Sequence, residues 1–134
     1  MRILGIDWGR RRTGLALSDP LGVTCTPLEI LEERDSERLL LRIIEVAREC
    51  DVGEVVVGLP RPLKGGTNSQ LETVFEFVSA LRDRTGMKIA TWDERFTSRL
   101  AEKGRSGTAG QDAVAACYML QDYLDHRAET PGET

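Results

Sequence analysis

The stretch Glu54–Pro60, EVVVGLP, constrains the fold more than any other part of the chain. Its apolar residues are consecutive, so both sides of an extended strand are apolar and both must be covered. That requires a central strand with layers on its two faces. Helical periodicity flanks it on both sides. Before it, Leu40, Ile43, Ile44 and Ala47 predict a helix over about 36–50, capped by Asp35 or Ser36. After it, Leu71, Val74, Phe75, Val78 and Leu81 predict an inner stripe over about 69–84, with Gly86 as the stop. Lys88–Trp92 reads as the next strand and Ile3–Trp8 as the first. Crossovers through helices make these strands parallel to one another.

The first strand also has an antiparallel neighbour. A tight connection over Gly9–Arg12 leads into Thr13–Ser18, TGLALS, so the pair reads as a hairpin. Asp19-Pro20-Leu21-Gly22 marks a turn, and a third strand follows from Val23 or Thr24 to about Leu31, with Pro27 indicating an edge. A short helix over about 98–103, a connection GRSGTAGQ and a last helix from about Asp112 to His126 complete the order. The expectation is an α/β fold, a mixed five-stranded sheet in the order 3-2-1-4-5 with helices on both faces. Residues 1–126 form one domain, and 127–134 a disordered tail.

Composition fits one core: 134 residues, 40% hydrophobic. No stretch approaches the roughly 18 apolar residues of a membrane span, and the first residues lack a signal-peptide core, which points to a cytoplasmic protein. Cys25, Cys50 and Cys117 are odd in number and far apart in sequence, and read as free, mostly buried thiols. His126, the one histidine, reads as a solvated helix-end residue, which argues against histidine-based catalysis.

The net charge is -4, yet nine of the 18 basic residues fall in three short segments, 10–12, 61–64 and 95–105, with Glu102 as their one acid. They are Arg10, Arg11, Arg12, Arg61, Lys64, Arg95, Arg99, Lys103 and Arg105. If these segments meet on one edge, they attract a polyanion whatever the net charge. Acids sit beside them. Asp7 ends the first strand, where a carboxylate must be paired, hydrated or metal-bound; a salt bridge to one of Arg10–Arg12 is one account of it. Asp93 and Glu94 end the fifth strand, and alternation lets only one of them face as Asp7 does. Asp112 heads the last helix, a position where an acid is favoured by the helix dipole alone. In open α/β sheets ligands collect beyond the carboxyl ends of the parallel strands. Acids converging there need cations, and hard oxygen ligands suit Mg²⁺ or Mn²⁺. A pair of such ions clamps a phosphodiester for attack by water.

Four segments in order, GIDWGRRRTGLALSDPLG, VVVGLPRPLKGGTNSQ, WDERFTS and DAVAACYMLQDYLD, resemble the YqgF/RuvX family of bacterial nucleases. Its members are described as Holliday junction resolvases or pre-16S rRNA nucleases. The resemblance covers residues 1 to about 125 and implies an RNase H-like fold. It implies Asp7, Glu94 and Asp112 as catalytic, metal-binding carboxylates for two Mg²⁺ or Mn²⁺ ions. Arg10, Arg11, Arg12, Arg61, Lys64, Arg95 and Arg99 are the expected contacts to nucleic acid, in a monomer or homodimer. Asp93 and Asp19 become a neighbour and a turn residue. The stretch between Glu94 and Asp112 departs from the family in being short, with SGTAGQ in place of a lysine-rich approach. That departure leaves a second class open, an RNA-binding ribosome-assembly factor without catalysis.

Other motifs carry less. GLPRPLKGG lacks the spacing of a P-loop and fits a basic substrate loop or a plain turn. GIDWGRRRTG also resembles the first phosphate loop of sugar-kinase and actin-like ATPases, but those close a second domain over the nucleotide. Thr97 and Ser98 read as a helix cap. Trp8 and Trp92 read as packing residues before base-stacking ones.

Overall fold

The computed structural model describes residues 1–9, 11–59, 69–93 and 111–129, with residues 69, 70, 111, 112, 128 and 129 described by backbone alone. The chain runs β1 (Arg2–Asp7), β2 (Arg12–Ser18), β3 (Cys25–Glu32), α1 (Ser36–Glu49), β4 (Val52–Leu59), α2 (Ser69–Thr85), β5 (Lys88–Asp93) and α3 (Gln111–Glu129). The sheet order is β3-β2-β1-β4-β5, as the sequence predicts. β1 pairs antiparallel with β2 and parallel with β4, and β5 is parallel to β4. The expected short helix over 98–103, the basic loop 61–68 and the residues 130–134 lie outside the described set.

Alternation along the strands sorts the core into two layers. Leu4, Ile6, Leu15, Val55, Val57 and Ile89 point to one face and pack beneath α1 and α2. α1 begins at Asp35, whose carboxylate accepts from Arg38 N at 3.0 Å and satisfies a free first-turn N–H. It buries Leu39, Leu40, Ile43, Val46 and Ala47. α2 is rotated relative to expectation. Val74, Phe77, Val78 and Leu81 form its buried stripe, while Phe75 is 48% exposed. Positions i, i+3, i+4 and i+7 make one continuous ridge, and Phe75 falls off it. Gly86 stops the helix at φ 67, and its N–H bonds to Arg82 O.

The opposite face carries Ile3, Ala16 and Val56 under α3, which supplies Ala116, Met119, Leu120 and Leu124. Helix and sheet approach closely because Gly5 has no side chain. An added Cβ there would come within 2.9 Å of Leu120 Cβ. α3 extends to Glu129, past the expected end at His126, and Arg127 is tied to the fold. Pro27 does lie on the edge strand β3, beside an irregularity in its pairing with β2 at Leu15/Ala16. Among the described residues no helix is long and apolar enough to cross a membrane.

Candidate active site

β1 ends at Asp7, half-buried on the α3 face with Ile3 and Gly5 behind it. Its register partners are Gly14 on β2 and Gly58 on β4. Neither has a side chain, so the carboxylate faces the rim without a cross-strand neighbour crowding it. Trp92, in register with Gly58, bounds the site on the β5 side. The return from β1 to β2 is tight: a Cβ on Gly9 would lie 2.3 Å from Arg12 O. The buried Thr13 hydroxyl braces this turn, accepting a long hydrogen bond from Gly9 N at 3.5 Å.

α3 crosses the same face of the sheet. Near its C-terminal end Tyr123 Oη donates to Glu54 Oε2 at 2.5 Å, and Arg127 Nη1 donates to Glu54 Oε1 at 2.9 Å. Glu54 is in register with Ile3. One turn earlier, Leu120 sits over Gly5. Further back along α3, Cys117 meets Cys25, which pairs with Ser18 at the level of Ile3, so the helix crosses the sheet obliquely from the β3 edge toward β4 and β5. Asp112 lies in its first turn and is described by backbone alone. Asp93 is in register with Leu59, on the face away from Asp7. Glu94, the other acid expected at the end of β5, lies outside the described residues.

Of the expected basic contacts, Arg11 and Arg12 are described, both exposed at this rim, and Arg10, Arg61, Lys64, Arg95 and Arg99 lie outside the described set. Arg12 shares the Asp7 face but its Nε lies 3.6 Å from Glu32 Oε1, its cross-strand partner on β3. No group of three His, Cys, Asp or Glu side chains forms a metal centre among the described residues. A cavity of about 490 Å³ opens at the other rim, lined by Met1, Arg2, Leu21, Glu54 and Arg127 among others. Its distance from the strand ends that carry Asp7 separates it from the candidate chemistry.

The sequence did not reveal two features of the α3 face. Glu54 is a buried acid between Tyr123 and Arg127, and burial, followed by the hydrogen bond to Glu54, pushes the Tyr123 pKa up to about 12. An acid in an otherwise apolar central strand was the available signal. Cys25 and Cys117 are half-buried, less so than expected, and their sulfurs meet at 3.2 Å; nothing in their spacing announces this. His126 is exposed, as expected, and its ring lies 5.3 Å from that of Trp92. Both tryptophans pack against core clusters, Trp8 on the α1/α2 side and Trp92 under α3. Asp19 is the turn residue foreseen: N–H groups of Thr24 and Val23 hold its pKa down.

The topology, with an acid ending the central strand, defines an RNase H-like fold. Similarity to solved structures agrees. RuvC of Thermus thermophilus in complex with a Holliday junction substrate superimposes with a TM-score of 0.69, covering 96% of each chain at 16% identity. A ROK hexokinase from the same organism matches with a TM-score of 0.51 at 22% identity, but this chain spans only 38% of it. The sequence then narrows the class. The model of the RuvX family, described as Holliday junction resolvase, matches residues 1–126. A relative from Desulforudis audaxviator is 39% identical over 95% of this chain and 96% of its own. One from Symbiobacterium thermophilum is 37% identical over 100% and 99% respectively. Both carry the name "Putative pre-16S rRNA nuclease". The chain belongs to the RuvX family.

Proposed function

We propose that this protein is a divalent-metal-dependent endonuclease that hydrolyses phosphodiesters in structured nucleic acid, with the 5′ end of pre-16S rRNA as its substrate in the cytoplasm. The observation that carries the reading is the rim itself. Asp7 ends the central strand between two glycines, and Asp112 stands in the first turn of the helix that packs on the same face of the sheet. Glu94 is the residue after β5, the parallel strand two places from β1 in the sheet. Three hard carboxylates of this kind fit Mg²⁺ or Mn²⁺. Asp7, Glu94 and Asp112 would hold the ions. When bound, such ions lower the pKa of water and balance the charge developing on the phosphate.

The chain's own residues do the rest. Arg11 and Arg12 stand at the rim, and Arg10, Arg61, Lys64, Arg95 and Arg99 belong to the three basic segments that would hold the backbone of the nucleic acid. No covalent enzyme intermediate is needed, since water is the nucleophile. The relatives named as pre-16S rRNA nucleases support rRNA as substrate. The family description supports a second reading, resolution of Holliday junctions, which calls for two such sites in a dimer. Asp7→Asn tests the proposal. Metal-supported cleavage of precursor 16S rRNA, or of a four-way junction, falls on the order of a thousandfold, about 4 kcal/mol of barrier. Cooperative unfolding stays intact. Wild-type protein that binds either substrate and cleaves neither with Mg²⁺ or Mn²⁺ would leave a non-catalytic RNA-binding factor.

A further inference from the structure

We propose that Cys25 and Cys117 are a reversible disulfide site that fastens α3 to β3. The two residues are 92 positions apart, yet Cys25 Sγ and Cys117 Sγ lie 3.2 Å from one another. Each thiol also reaches the other's backbone: Cys25 Sγ is 3.2 Å from Cys117 O, and Cys117 Sγ is 3.5 Å from Cys25 O. The two side chains are therefore turned toward one another. A disulfide requires about 2.05 Å, so bond formation draws the sulfurs together by roughly 1.2 Å. Gln121, one turn after Cys117, already holds this flank of the helix by donating from Nε2 to Val23 O at 2.9 Å. Both cysteines are half-buried, which leaves an oxidant a path to the pair.

With a peroxide as oxidant the chemistry balances. The Cys117 thiolate attacks one peroxide oxygen, giving a sulfenic acid and releasing water after protonation. The Cys25 sulfur then attacks the sulfenic sulfur, forming the S–S bond and releasing a second water. Two thiols and one peroxide yield one disulfide and two waters. Burial and the neighbouring Cys117 thiol push the pKa of Cys25 up, which suits it to the second, resolving role. A dithiol reductant reverses the bond by exchange.

The bond acts on the helix that begins with Asp112, five residues before Cys117. Closing the sulfur gap moves α3 toward the β3 edge and away from β5, the strand that precedes Glu94. On the nuclease reading, oxidation therefore slows cleavage, by up to on the order of a hundredfold, because small misplacements of reacting groups cost this much.

Full-length protein treated with hydrogen peroxide tests this. The expected results are an intact mass lower by two hydrogens, a peptide linking Cys25 to Cys117, and a Tm raised by roughly 5–10 °C, all reversed by dithiothreitol. Cys25→Ser and Cys117→Ser abolish the mass change, and Cys50→Ser, in the other core layer, retains it. Two thiols that remain alkylatable after peroxide, or a link found only between two molecules, would overturn the site. If the disulfide forms and reduced and oxidised protein cleave at the same rate, the link to Asp112 is wrong. If neither form cleaves, the nuclease reading fails and the disulfide stands.

Discussion

Beneath α1 and α2 the sheet offers Leu4, Ile6, Leu15, Val55 and Val57 to two helices that answer with Leu40, Ile43, Val74 and Leu81. Beneath α3 it offers Ile3, Gly5, Ala16 and Val56 to one helix among the described residues. The first face is thick and branched; the second is thin, with small residues that let one helix lie close. Glu54, Cys25, Trp92 and Asp7 all belong to the second. Among the described residues this second face is covered by one helix, and Asp7 stands half-buried at its rim. The thick face supplies cohesion, and the thin one exposes chemistry.

Substitutions that separate cohesion from chemistry can break this contrast. Ile43 is fully buried under the thick layer, so Ile43→Ala removes contacts and leaves a cavity, costing about 3–4 kcal/mol. Chemical denaturation reads that cost. Cleavage per folded molecule stays at the wild-type rate, because Ile43 packs on the face of the sheet opposite the one that carries Asp7. A loss of activity as large as the loss of stability would mean that the two faces do not work separately.

Gly5→Val makes the reverse comparison. An ordinary Cβ at this position already meets Leu120 at 2.9 Å, and a branched one forces α3 outward. Overpacking of this kind costs roughly 1–3 kcal/mol. The larger consequence falls on cleavage, which drops on the order of a hundredfold as the helix bearing Asp112 shifts. Smaller stability loss with larger activity loss than Ile43→Ala is the expected signature. Kinetics and melting on the same preparations decide it.

The contrast also explains what could be read without coordinates. A continuous apolar run such as EVVVGLP admits little but a central strand, and 3.6-residue periodicity fixed α1 and the placement of its ridge. The hairpin, the crossovers and the strand order followed from those elements. On α2 two phenylalanines two residues apart compete for one stripe, and pattern alone chose Phe75 where packing buries Phe77. At the site, Asp7 was legible because an acid inside an apolar strand has few accounts. The Glu54–Tyr123–Arg127 cluster and the Cys25–Cys117 contact were not legible. They depend on where α3 crosses the sheet, a tertiary fact without a local periodicity. The roles proposed for Glu94 and Asp112 rest on family resemblance.

A smaller effect sharpens the comparison at the far end of α3. Tyr123 has a folded-state pKa raised from 10 to about 12, by burial first and then by Glu54. The stabilisation this represents is present in full below pH 10 and is lost as pH rises toward 12. A melting series across that window should show Tm falling in wild type and a flatter dependence in Tyr123→Phe. In a phenolate absorbance titration, one of the two tyrosines should ionise late. If Tyr123 ionises like an exposed tyrosine, the clamp on Glu54 does not hold α3 in place.

The smallest stability effect and a distinct binding effect meet at Arg12. Its partner Glu32 is 71% exposed and Arg12 itself 49%, so the pair adds little to folding, and Arg12→Ala should change stability by less than about 0.5 kcal/mol. If Arg12 approaches a phosphate in the bound state, it must leave Glu32. Removing it then weakens RNA binding uniformly across sequences and lowers the slope of log K against log salt by about one. Glu32→Gln discriminates further, since it frees Arg12 from competition and should tighten binding at low salt. If neither substitution alters the salt slope, Arg12 is only a cross-strand tether, and the thin face owes its hold on nucleic acid to the other basic segments.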